Sequence, residues 1–192
     1  MKLIFASNNL HKTEEIRSFF GKGFEFLTLK EAGINIEIPE PHNTLEENAR
    51  EKSTTIYRLS GQNCFAEDTG LEVEALNGEP GVKSARYSGD DVNYVRNNEL
   101  LLKNMQGKIN RNACFKSVIS LIINGKEYCF KGVCKGTIAK EVSGTKGFGY
   151  DSIFVPEGSK VTFGEMNMEQ KNRYSHRRKA AEKMAQFLQG LL

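Results

Sequence analysis

The stretch Ser-His-Arg-Arg-Lys-Ala, residues 175–180, sets a histidine and three consecutive cations at the start of a helical pattern whose apolar side is Ala180, Met184, Phe187 and Leu191. Helical neighbours recur three and four residues apart, so stepping back from Ala180 reaches Arg177 and His176, which face inward. Arg178 falls in phase with Glu182 and Ala185, and Lys179 with Glu182 and Gln186, positions of the wet side. In an earlier helical pattern Leu45, Ala49, Ile56 and Leu59 form the apolar stripe, and Lys52 lies on it. Its ammonium either snorkels past the stripe to water or meets an anion. Lys12 sits in the first turn of a third helix, one turn before Ile16, where the helix dipole already places about half a positive charge. An anion between the two positives would relieve their repulsion, and Ser7, Asn8 and Asn9 supply N–H groups and short polar side chains to hold one. The alternative is that Ser7 or Asn8 merely caps the helix.

Phe-Ala-Glu-Asp-Thr-Gly, residues 65–70, puts Glu67 and Asp68 side by side at the end of an apolar run. With Leu-Glu-Val-Glu-Ala-Leu after it, this reads as two short strands around an acidic turn, a place where α/β folds put site residues. In such a turn Asp68 either accepts from the backbone near Gly70 or serves a ligand. Inward lysines imply phosphates, and phosphates arrive with Mg²⁺, which one or two carboxylates and substrate oxygens hold. Glu40, stiffened between Pro39 and Pro41, is a second oxygen donor.

The elements that must position these groups follow from periodicity. Lys-Leu-Ile-Phe-Ala (2–6) reads as a strand, and Ile16, Phe19 and Phe20 mark the first helix. Residues 24–29 read as a second strand. The helix carrying Lys52 starts at a capping box, either Asn43 with Glu46 or Thr44 with Glu47. A further helix is expected from about Asp91 to Gln106, stopped by Gly107. Apolar and β-branched runs on both sides of Asn124-Gly125 predict an antiparallel hairpin. A strand at Ser-Ile-Phe-Val-Pro and one or two helices from about Met168 to Leu192 complete the chain. Strand–helix alternation followed by a hairpin predicts an α/β domain around a mixed sheet.

Length and composition bound the function. A chain of 192 residues suits one domain with one core, and 39% hydrophobic with 27% charged residues excludes a disordered chain. The net charge of +3 is spread along the whole sequence, which argues against a surface built to track nucleic acid. Cys64, Cys114, Cys129 and Cys134 form no metal-ligand pattern. With no signal-peptide pattern and no apolar run near the ~20 residues of a membrane span, they are expected to be reduced thiols of a cytoplasmic protein.

Taken together, SNNLHK, TLEENAREKS, FAEDTGLEVEALNGEPGVKSARYSG, GTKGFGYDSIF, and TFGEM with EQKN and SHR resemble the inosine triphosphate/xanthosine triphosphate pyrophosphatase family, the HAM1-like house-cleaning enzymes. The likeness runs almost end to end. It implies a two-lobed α/β fold around a long bent mixed sheet flanked by helices, a homodimer, and Mg²⁺-dependent hydrolysis of deaminated purine nucleoside triphosphates to monophosphate and pyrophosphate. By the same likeness Ser7, Asn8, Asn9, Lys12 and Lys52 hold the triphosphate, and Asp68 is general base and metal ligand. Thr69 touches substrate, Glu40 is a further metal ligand, and Glu67 occupies an acidic family position that is a third candidate. Phe148, Gly149, Tyr150 and Asp151 hold the base together with Lys171, His176 and Arg177. Two departures stand out: SNN where many relatives carry TGN, and Ser152 in place of a common proline.

Rival readings are a Maf-type pyrophosphatase acting on pyrimidine or modified nucleotides, against which SHR and GFGYD speak, and a nucleotide-binding regulator, against which Asp68 and Glu40 speak. A third, an RNA-binding protein, would show a steep salt dependence of polymer binding.

Overall fold

A computed structural model describes residues 2–20 and 25–191. Strand β1 (Lys2–Phe5) leads to helix α1 (Leu10–Phe20), strand β2 (Glu25–Thr28) and helix α2 (Leu45–Ser60). Then come β3 (Cys64–Val73), the two-residue β4 (Pro80–Gly81), α3 (Tyr94–Asn104), β5 (Asn112–Ile123), β6 (Lys126–Ile138), β7 (Phe154–Pro156), α4 (Met168–Asn172) and α5 (His176–Gln189). The strands form one mixed sheet in the order β2-β1-β3-β5-β6-β7, with β4 on β3. β1 runs parallel to β2 and β3, whereas β4 and β7 pair antiparallel with β3 and β6. The fold is therefore the α/β arrangement expected. Of the sequence expectations, Phe24 and Leu192 lie outside the described residues.

The chain forms two compact units. One comprises Met1–Asp68, Ser117–Gly132 and Arg177–Leu192, the other Thr69–Lys116 and Val133–His176. In the first, alternate residues of each strand face different helices, as a period of two requires. Leu3, Phe5 and Phe65 pack with Ile16 of α1 and Ala180, Ala181, Met184 and Leu188 of α5. Ile4, Ala6, Cys64 and Ala66 pack with Ile56 of α2. The rings of Phe5 and Phe65 stack 4.7 Å apart, with Phe26 edge-on to both. In the second unit Leu71, Leu101, Phe115, Tyr150, Phe154 and Phe163 belong to one core.

Several local expectations are corrected. The acidic segment is not a turn between two short strands: β3 runs unbroken from Cys64 to Val73. Ladder partners support it on both sides of the carboxylates, β1 at Cys64 and Phe65, and β4 at Leu71 and Glu72. Helix α3 starts at Tyr94 instead of Asp91 because the Asn93 side chain accepts from the Arg96 N–H. On α2, Leu45, Ala49 and Ile56 are buried but Leu59 is 59% exposed. On α5 the buried stripe continues to Leu188, and Leu191, past the helix end, is exposed. The hairpin stands as expected, with Asn124 at φ 50° and Gly125 at φ 80° in its two-residue turn. Helix α2 is capped at Thr44 but without the full capping box: the Thr44 hydroxyl accepts from the Glu47 N–H, while the Glu47 carboxylate accepts from that hydroxyl instead of from the Thr44 N–H. Among the described residues Cys64, Cys114, Cys129 and Cys134 form no disulfide. Among the described residues no helix is long and apolar enough to cross a membrane.

Glu31 closes the turn after β2. It accepts from the Thr28 N–H at 2.8 Å and takes a two-pronged contact from Arg17 at 2.7 and 2.8 Å. The Arg17 and Thr28 hydrogen bonds hold its carboxyl down at about 2, against roughly 4.3 in an unfolded chain. The folded state therefore takes up this proton less readily than the unfolded one, and the stabilisation, full above the unfolded value, drains as pH falls toward 2. Denaturant titrations between pH 5 and 2 should show a shallower stability loss in Glu31→Gln than in the parent; identical slopes would refute the assignment.

Candidate active site: two polar clusters

In the first unit the period of β3 separates its two adjacent carboxylates. Asp68 follows Cys64 and Ala66 onto the α2 face, and Glu67 follows Phe65 onto the α1/α5 face. On the α2 face Lys52 is 7% exposed, and its ammonium reaches Glu40 Oε1 at 2.5 Å, Asp68 Oδ1 at 2.9 Å and the Glu67 carbonyl at 2.9 Å. The choice left open by the sequence is thus resolved: Lys52 does not snorkel but meets carboxylates. Buried Asn48, which sequence reasoning missed, holds the loop that presents Glu40 by bonding both the N–H and the carbonyl of His42.

Burial pushes the Asp68 carboxyl above its ordinary value, against the pull of the Lys52 and Lys12 ammonium groups. Glu40 is also raised by burial, but the charge and hydrogen bond of Lys52 outweigh this and hold it below the usual range. Burial alone would lower Lys52; Asp68 and Glu40 reverse that and raise it. One carboxylate is thus kept anionic beside another that takes a proton more easily.

On the other face Glu67 is a hub. Its Oε1 accepts from Ser117 Oγ at 2.7 Å and Arg177 Nε at 3.0 Å, and its Oε2 lies 2.7 Å from Lys12 Nζ. Arg177, 1% exposed, also contacts Glu15, itself buried. Glu15 was not singled out from the sequence, although its place three residues after Lys12 on one helix face was a usable signal. Between β1 and α1, Asn9 caps the helix in place of Ser7 or Asn8: its Oδ1 accepts from the Lys12 N–H at 3.2 Å. Ser7 Oγ accepts from the Asn9 N–H at 3.1 Å, and Asn8 is exposed.

The second unit begins at Thr69, which is half-buried. Its polar cluster lies in the segment Phe148–Asp151. The Asp151 carboxylate accepts from the Phe148 N–H at 2.9 Å and from Lys171 Nζ at 2.6 Å, while its own N–H donates to the Phe148 carbonyl at 3.2 Å. Gly147, at φ 73°, passes so close that a Cβ there would lie 2.0 Å from Asp151 Oδ2. The Lys171 ammonium sits 5.3 Å from the ring centroids of both Phe148 and Phe163, within cation–π range. His176 stacks on Phe115 with centroids 4.6 Å apart. The Tyr150 hydroxyl donates to the Ser84 carbonyl, and burial pushes its phenol well up.

Geometry thus gathers Lys12, Lys52, Glu40, Glu67, Asp68 and Arg177 in one unit and Phe148, Gly149, Tyr150, Asp151, Lys171 and His176 in the other. Among the described residues no group of three or more His, Cys, Asp or Glu forms a metal cage. Glu40 and Asp68 nevertheless fit a magnesium ion. They are two hard oxygen donors that share one ammonium, a donor set of the kind that Mg²⁺ completes with substrate oxygens.

The model of the Ham1 family matches residues 3–187. A dITP/XTP pyrophosphatase from Flavobacterium psychrophilum is 48% identical over 187 residues, which covers 97% of this chain and 98% of the relative. One from Porphyromonas gingivalis is 46% identical over 188 residues, 97% of each chain. Among solved structures, the Staphylococcus aureus Ham1 protein superposes with a TM-score of 0.90 at 36% identity over 100% of both chains. A nucleoside-triphosphatase / dITP/XTP pyrophosphatase from Mycobacterium abscessus gives 0.78 at 37% identity, covering 96% and 98%.

Proposed function

Because the chain belongs to the Ham1 family, we propose that it is a pyrophosphatase that hydrolyses deaminated purine nucleoside triphosphates, ITP, dITP and XTP, to monophosphate and pyrophosphate. The observation that carries the reading is Lys52, buried between the carboxylates of Glu40 and Asp68. The site acts as one pyrophosphatase domain, in a cytoplasmic homodimer, and removes these nucleotides from the pool.

Ser7, Asn8, Asn9, Lys12 and Lys52 bind the triphosphate, the two ammonium groups offsetting its charge. Glu40 and Asp68 would hold Mg²⁺, which supplies charge neutralisation at the phosphate oxygens. Glu67, with both oxygens on Ser117, Arg177 and Lys12, fits this role less well and holds Lys12 in place. Asp68 accepts the proton of the attacking water as its oxygen bonds the α-phosphorus, and the bond to the bridging oxygen breaks to release pyrophosphate. A carboxyl raised by burial suits a base. Thr69 touches substrate beside it.

Phe148 stacks on the base, Asp151 holds the segment through the Phe148 peptide, and Lys171, His176, Arg177 and the N–H groups of Gly149 and Tyr150 offer donors to the base. Hypoxanthine and xanthine present a 6-oxo acceptor where adenine presents an amino donor, so donors aimed there leave adenine with donor facing donor. Such unpaired contacts reject a substrate strongly.

A nucleotide panel with Mg²⁺ tests the reading, with released pyrophosphate cleaved by inorganic pyrophosphatase and read by malachite green. Turnover of ITP, dITP and XTP should far exceed that of ATP, GTP and the pyrimidine nucleotides. Chelation by EDTA should abolish it and added Mg²⁺ restore it. A preference for pyrimidine nucleotides would instead favour the Maf-type reading, and undiminished turnover in EDTA would remove the metal.

A further inference from the structure

Helix α3 enters none of these roles, yet its inward face meets the segment Phe148–Asp151. Tyr94 and Asn98 are one turn apart and share that face, and Leu101 anchors it in the core. The Tyr94 ring lies 5.9 Å from the Phe148 ring. Asn98 is 7% exposed, and its amide nitrogen donates to the Gly149 carbonyl at 3.1 Å and to Ser152 Oγ at 3.2 Å. Its own Oδ1 has no hydrogen-bond partner among the described residues. The orientation is nonetheless fixed, because reversing the amide would aim oxygen at oxygen.

Gly149 has φ 62°, and a Cβ built there meets nothing within 4 Å. No side chain of its own therefore holds the peptide that follows, and the Asn98 amide does so from outside. A trans peptide is planar with its C=O and N–H opposed, so pinning the Gly149 oxygen toward α3 aims the Tyr150 N–H the other way. Asp151 fixes the Phe148 peptide from below, through its carboxylate. Ser152 gives the Asn98 amide its second acceptor.

We propose that Asn98, with Tyr94 beside it, is a positioning residue for base selectivity: it sets the direction of the Tyr150 N–H and the seat of the Phe148 ring. The inference rests on the reading of residues 148–151 as the base-holding segment, and adds α3 as the part that keeps it selective.

Steady-state kinetics of Asn98→Ala with ITP and ATP tests it. The change suits a helix interior, so the fold should persist. Loss of a neutral hydrogen bond should raise KM for ITP about fivefold and narrow the ITP-to-ATP ratio of kcat/KM by a similar factor, with kcat nearly unchanged. Asn98→Asp, which turns an oxygen toward the Gly149 carbonyl, should do more. A structural defect that only lowers the active fraction would reduce kcat for both nucleotides alike and leave KM and the ratio where they were. Should the Asn98 variants fail to fold, Tyr94→Leu, at a half-buried helix start, should also narrow the ratio. An unchanged ratio in the folded α3 variants, with a changed one in Phe148→Ala, overturns the proposal but spares the base-holding segment. An unchanged ratio in Phe148→Ala as well overturns both.

Discussion

Asp68→Asn should lose roughly 10²–10⁴-fold in kcat, the usual contribution of a positioned general base, while its unfolding midpoint stays near that of the parent. The side chain keeps its size, and an amide oxygen can still accept from Lys52, which retains Glu40 at 2.5 Å and the Glu67 carbonyl at 2.9 Å. What disappears is a carboxylate raised by burial at a position only 6% exposed. Turnover of ITP with saturating Mg²⁺, measured beside a denaturant titration, separates chemistry from folding. Parent-like turnover in a folded Asp68→Asn protein would remove Asp68 as the base.

Arg177→Ala should show its largest effect on stability. The guanidinium bridges Glu15 and Glu67, and all three side chains are at most 3% exposed. Taking the cation out of a buried cluster leaves carboxylates in low dielectric, a change that costs about 3–5 kcal/mol. Lys12 still offers Glu67 an ammonium at 2.7 Å, so Glu15 should be the worse stranded of the two. A second substitution, Glu15→Gln in the Arg177→Ala background, should therefore recover part of the loss. By contrast, Arg178 pairs with Glu182 one turn on at a half-exposed surface, where such pairs are worth about 0.3–0.5 kcal/mol. Arg178→Ala should thus unfold close to the parent. Equal losses at 177 and 178 would mean that the buried cluster is not the seat of Arg177's effect. KM for ITP in the folded fraction of Arg177→Ala then reports separately on base recognition.

The division between positions 177 and 178 was legible in the sequence because helical phase is a local property: Ala180 and Met184 define the buried side, and three- and four-residue steps carry it back to His176 and Arg177. Lys52 was legible as inward for the same reason. Its partners were not, because Glu40 and Asp68 reach it from a loop and a strand 12 and 16 residues away, outside the helix whose period places Lys52. The acidic segment misled for a related reason. Adjacent acidic residues before a glycine suit a solvated turn, whereas here ladder partners on both sides keep the strand continuous and cations from α1 and α2 meet the carboxylates. Glu15, Asn48, Ser117 and Asn98 escaped notice since each is an ordinary polar residue until the fold supplies a counterpart. The apolar phase of α5 extends to Leu191, but the helix closes at Gln189 and leaves Leu191 exposed.

The Glu67 carbonyl lies on β3 beyond the stretch paired with β1 and before the stretch paired with β4, and Lys52 and Lys12 reach it at 2.9 and 3.5 Å. A main-chain oxygen persists through any side-chain replacement, so variants that silence the chemistry at position 68 keep both cations tethered. Asp68→Asn should accordingly retain its grip on intact nucleotide and serve as a capture reagent for whatever triphosphate the protein meets in a cell extract.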